Sequence, residues 1–140
     1  MKRLSIIGTV AVLSLAVVWP ALATTVSGRQ NPDLTVSVSL ASSGADPEVA
    51  TVGDVVNVRL SVTNNTWKFE ENVNIRVLVT LPDGRSFDGA LTTPLAPFQT
   101  IAPRATLTVS DAFPTGPYAV TLEANNGDGV SSATATITIM

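Results

Sequence analysis

From Val56 the chain alternates almost without a break. Val56, Val58, Leu60 and Val62 fall on one side; Asn57, Arg59, Ser61 and Thr63 fall on the other. Successive side chains of a strand point to opposite faces, so Asp54 to Thr63 reads as a strand with one dry and one wet face. Gly53 opens it and Asn64-Asn65 closes it. The same pattern predicts strands over Asp33–Leu40, Asn72–Leu81, Arg104–Ser110, Tyr118–Ala124 and Val130–Ile139, with a shorter one over Arg85–Leu91. Turn chemistry separates them: Pro82-Asp83-Gly84, Pro114-Thr115-Gly116-Pro117 and the glycine-rich Asn125 to Gly129. Ala41 to Gly53 reads as a connection. Thr92 to Pro103 carries three prolines and reads as a loop or an edge crossing, because proline cannot donate to a ladder. No segment after the first 23 residues has helical periodicity. About seven short strands spaced by turns predict an all-β, antiparallel sandwich of the immunoglobulin or fibronectin-III type. Tyr118 follows a turn at the start of the penultimate strand, where it can form a tyrosine corner or sit in the core.

The first 23 residues have a different logic. Lys2-Arg3 is a basic head, Leu4 to Trp19 is apolar but for three hydroxyls, and Ala21-Leu22-Ala23 fits signal-peptidase cleavage. That run falls short of the ~20 residues a membrane-spanning helix needs. The expected organisation is a signal peptide over 1–23, a flexible polar lead over 24–32 and one sandwich domain over 33–140. The expected localisation is exported: periplasmic, cell-surface or extracellular. No cysteine follows the apolar run, so lipid attachment at an N-terminal cysteine is excluded.

Charge and composition then narrow the function. Cleavage after Ala23 leaves 117 residues and, with Lys2 and Arg3 gone, shifts the net charge from −3 to −5. Nucleic acid and anionic lipid both demand basic surfaces, so neither is an expected partner, and no membrane span is expected after cleavage. The chain has neither histidine nor cysteine. Ser-His-Asp and Cys-His catalysis, and zinc sites built on those ligands, are therefore excluded. No cofactor or metal is implied, and the chain is not expected to be an enzyme. Glu70-Glu71 reads as a solvated loop. Asn125, Asn126 and Asp128 offer oxygens for calcium, but their order does not fit the EF-hand loop and a glycine hairpin is the plainer reading. Asn64-Asn65-Thr66 has the form of a glycosylation sequon.

Several segments carry a family resemblance. Asn31-Pro32-Asp33-Leu34-Thr35-Val36, Ala50-Thr51-Val52-Gly53-Asp54 and Leu60-Ser61-Val62-Thr63-Asn64-Asn65 resemble the bacterial cell-adhesion-related domain, CARDB. Pro114-Thr115-Gly116-Pro117-Tyr118 is similar to the entry of that domain's penultimate strand. The resemblance implies an immunoglobulin-like module of exported or surface proteins and supplies no catalytic residues. The expected single-domain organisation differs from that family's usual setting, in which such modules sit in long multidomain chains.

One aromatic cluster lies outside the strands: Trp67-Lys68-Phe69. As a recognition tip it would bind a protein or a surface glycan. Alternatively, both rings fold down and plug the end of the core. The scarcity of aromatics favours the plug. The expected function is a non-catalytic binding or adhesion module of the envelope or surface. The alternative is a structural subunit that assembles by edge-strand pairing.

Overall fold

The structure, a computed structural model, describes residues 24–26 and 30–140. The predicted signal peptide lies outside the described residues. Among those described the chain is all-β. Its strands are β1 (Thr24–Val26), β2 (Leu34–Ser42), β3 (Val49–Ala50), β4 (Val55–Asn64), β5 (Glu70–Thr80), β6 (Ser86–Leu95), β7 (Thr100–Ile101), β8 (Arg104–Thr108), β9 (Gly116–Asn125) and β10 (Val130–Ile139). One sheet has the order β1-β10-β9-β5-β6, with β3 also against β10; the other joins β2, β4 and the β7–β8 edge. Every pairing is antiparallel except β3 with β10.

The two dry faces meet in a single core. Val36, Val38, Leu40, Val56 and Val62 of one sheet pack with Val73, Ile75, Leu122, Ala133, Ala135, Ile137 and Ile139 of the other. The alternation read from the sequence is the alternation of burial: β10 is buried at Ala133, Ala135, Ile137 and Ile139. Small residues on β10 and larger ones on β2 let the layers interdigitate.

The polar lead is partly tied down. Thr24–Val26 pairs with β10, and Asn31 is buried. Ser131, fully buried, donates its hydroxyl to the carbonyls of Asn31 and Leu34 and accepts the Asn31 N–H at 2.9 Å. That knot fastens β10 to the entry of β2. A buried hydroxyl without such partners would cost about 1–3 kcal/mol.

Two local readings change. The strand expected over Arg85–Leu91 runs on to Leu95, through Pro94, into part of the segment read as a loop. It can do so because β6 is an edge: the missing proline N–H breaks no second ladder, and the register with β5 is already irregular between Glu70 and Val73. Tyr118 is half-buried and its hydroxyl donates to the Pro114 carbonyl at 2.8 Å, which is a tyrosine corner. Burial, with the nearby Asp83 charge, raises the phenol's pKa. The preceding Gly116 has φ +127, and a Cβ there would lie 2.8 Å from Pro82.

The sandwich is shut along one side and gapes along the other. On the open side, register places Phe87, Gly89 and Leu91 of β6 opposite Val79, Val77 and Ile75, hence on the core-facing surface. Leu107 of β8 likewise faces inward, opposite Val56. Yet Phe87, Leu91 and Leu107 are 59%, 58% and 47% exposed. A cleft of about 310 Å³ lies between Gly89–Leu91 of β6 and Ile101 and Pro103 at the other sheet's edge, floored by Leu60, Val62, Ile75, Val77 and Leu122.

Candidate functional site

The site at Trp67 is built from Asn64, the last residue of β4. Asn64 is fully buried. Its Nδ2 donates to the carbonyls of Lys68 (2.8 Å), Ala96 (3.1 Å) and Leu95 (3.3 Å). Its Oδ1 accepts from the Thr66 N–H (2.9 Å) and hydroxyl (2.7 Å). One buried amide therefore joins the loop after β4 to the turn after β6. The Asn64 N–H completes the joint by donating to the Gln99 carbonyl. This also disposes of the sequon: a side chain at 0% exposure, with its nitrogen committed to carbonyls, is closed to a glycosyltransferase in the folded chain.

The turn after β6 brings an aromatic that sequence reasoning passed over. Ala96-Pro97-Phe98-Gln99 is closed by the Gln99 N–H donating to the Ala96 carbonyl at 3.0 Å, and Phe98 has φ +59. Proline at the second position and positive φ at the third describe a type II turn, which ordinarily places glycine third. A bulky residue held there stores strain, and such strain clusters at ligand clamps and other functional positions. The Phe98 ring meets Trp67 edge-on, with centroids 4.9 Å apart and planes at 85°. Edge-to-face contact is a favoured aromatic geometry.

The plug reading of Trp67 and Phe69 is overturned. Trp67 is 85% exposed, Phe69 57% and Phe98 51%. The core needs no ring here because Leu95, fully buried, and Asn64 already fill this end. Trp67, Phe69 and Phe98 instead stand out at one pole, and Lys68 between the first two is also exposed. The only sequence signal for Phe98 was the Pro97-Phe98 pair itself, a proline followed by a residue that is not glycine.

The other candidate residues are absorbed by local structure. The Asn125 Oδ1 accepts the Gly127 N–H, and the Asn126 Oδ1 accepts from Asn31 Nδ2 and the Asp128 N–H. The hairpin thus uses the two amide oxygens that calcium would need. Asn126 Nδ2 donates to carboxylate oxygens of Asp33 and Glu70, so Glu70 belongs to this network while Glu71 is exposed. Among the described residues no three acidic, histidine or cysteine side chains cluster as metal ligands, and no helix is long and apolar enough to cross a membrane.

No protein-family model matches the chain, and comparison with curated sequences finds no relative. Solved structures do match. The CARDB domain of a Pyrococcus furiosus protein, determined in complex with two metal ions, superposes with a TM-score of 0.57 at 18% identity, over 81% of this chain and 97% of that one. The C-terminal domain of Wzt gives 0.55 at 12% identity, over 84% and 78%. The Pseudomonas fluorescens alkylpurine DNA glycosylase AlkC gives 0.54 at 11% identity, over 76% of this chain but only 30% of the glycosylase. The fold is therefore CARDB-like, as the sequence resemblance implied.

Proposed function

We propose that this chain is an exported, non-catalytic binding or adhesion module of the immunoglobulin-like type, acting at the cell envelope or surface. Its recognition site is the pole formed by Trp67, Lys68, Phe69 and Phe98, and its partner is a protein or a surface glycan. The observation that carries this reading is Trp67, 85% exposed yet set edge-on against a strained Phe98. Exposing a tryptophan and two phenylalanines costs solubility and gains the fold nothing, whereas rigid aromatics are the usual anchors of interfaces. Support for export comes from the basic head, apolar run and Ala21-Leu22-Ala23 site in the sequence. Against catalysis stands the lack of histidine and cysteine.

The test is cosedimentation of the mature protein with the isolated envelope fraction of its native host. Trp67→Ala and Phe98→Ala should each reduce binding at least tenfold while leaving the fold intact. Undiminished binding by both would reject the pole as the site.

A second reading has its own observation. The cleft between β6 and β7–β8 combines two unpaired sheet edges with exposed core-facing side chains, a geometry suited to an added strand and hence to a structural subunit. On that reading Leu91→Asp abolishes association and Trp67→Ala does not.

A further inference from the structure

The outer face of the smaller sheet has an unusual charge pattern. No acidic residue occurs in β2, in β4 or in Thr100–Thr108. The face is made of hydroxyls and amides, with two arginines. Arg59 of β4 and Arg104 of β8 are direct cross-strand partners, and Ser39 flanks Arg59 on the other side. Like charges in that position repel. Four arginines lie in residues 30–140. Arg76 pairs with Asp88 and Glu123, and Arg85 pairs with Asp83. Among the described residues Arg59 and Arg104 have no carboxylate within ion-pair distance, although acidic residues outnumber basic ones in the chain. Burial, then the facing Arg104 charge, lowers the Arg59 guanidinium from its ordinary value to about 9, so it still carries its charge at neutral pH.

These two side chains share a shallow depression of about 280 Å³ with Ser37, Ser39 and Ser61. The Ser37 and Ser61 hydroxyls are 2.6 Å apart and form a pair beside the guanidinium groups.

We propose that Arg59 and Arg104, with Ser37, Ser39 and Ser61, form a binding site for the acidic substituent of an anionic polysaccharide. An oxyanion between the guanidinium groups would turn their repulsion into two charge-assisted interactions. Arginine's planar fork suits carboxylate, sulfate and phosphate alike. The serine hydroxyls both donate and accept, which matches sugar hydroxyls better than the apolar side chains of a peptide. The strands that form this face carry no aromatic ring on which a nucleobase could stack. This site is separate from the aromatic pole, so each can fail without the other.

The experiment is affinity electrophoresis and calorimetry of the mature protein against polygalacturonate, dextran sulfate and neutral dextran, with sodium sulfate as the free-ion control. The site predicts retardation by one or both acidic polymers, none by neutral dextran, and weakening as salt rises. Arg59→Gln and Arg104→Gln should each lose at least tenfold in affinity. Arg76→Gln, which removes a paired arginine, should bind as the parent does. Both arginine variants relieve repulsion, so thermal melting should find them folded. Polygalacturonate alone would assign a carboxylate, dextran sulfate alone a sulfate or phosphate. Equal retardation by neutral dextran, undiminished binding by both arginine variants, or binding of sulfate ion without either polymer would overturn the proposal.

Discussion

The two long sides of this sandwich obey the same sequence rule and end in opposite states. Along one side β10 is covered by β1 and β3 and knotted to β2 through Ser131, and its inward residues lie at 0–5% exposure. Along the other, β6 and β8 also point apolar residues inward, yet Phe87, Leu91 and Leu107 are about half exposed. The difference is not in the alternation. It lies in what stands opposite. Ile137 and Ile139 meet the buried side chains of β2, while Leu91 lines an open cleft shared with Ile101 and Pro103. Burial of apolar surface, not apolar character, supplies the stabilisation.

That comparison can be broken by substitution. Leu40→Ala, at 2% exposure within the closed core, should cost about 2–5 kcal/mol in chemical denaturation, because it removes packed atoms and leaves a cavity. Asn64→Ala comes next. It strands the carbonyls of Lys68, Leu95 and Ala96, and a loss of about 1–3 kcal/mol is expected, with faster tumbling of Trp67 in fluorescence anisotropy. Leu91→Ala, the same chemical change as Leu40→Ala but on the open side, should cost under about 1 kcal/mol, since most of that side chain already touches water. Costs of similar size for the two leucines would mean that the open side is closed in solution.

The smaller effects concern exposed groups. Trp19 lies within the expected signal peptide, so Trp67 is the only tryptophan of the mature chain. Its emission should be red-shifted and readily quenched by iodide, and Trp67→Ala should change stability by about 0.5 kcal/mol or less. Arg59→Gln should be the more stable protein at neutral pH. The folded-state pKa of Arg59 lies below its unfolded value, so the penalty for its charge is fully present below about 9. It is relieved as pH rises above that value, and the advantage of Arg59→Gln should shrink there. Among the described residues the one charge facing Arg59 across its strands is Arg104, which acts in the same direction.

Much of this was legible along the chain, because alternation records which way each side chain points. β4 and β10 lie within a residue of where their patterns put them. Alternation does not record whether a face is covered. Leu60 reads as core like Val62, but Val62 is 2% exposed while Leu60 is only half-buried on the cleft floor. Cover depends on strands distant in sequence. The aromatic pole was half visible. Trp67, Lys68 and Phe69 stood out as a cluster, but their partner Phe98 is 31 positions further on. The scarcity of aromatics argued for the plug, and it misled because a leucine and an amide fill that end of the core.

The contrast between the two sides is tested most directly by native-state amide hydrogen exchange, resolved strand by strand. Amides bonded into well-packed strands exchange only through large openings, whereas thinly covered edges exchange through local ones. The account predicts that the β5–β6 ladder from Phe87 to Leu91, and the β4–β8 ladder, exchange at least tenfold faster than the β9–β10 ladder. Uniform protection across β6, β8 and β10 would contradict it.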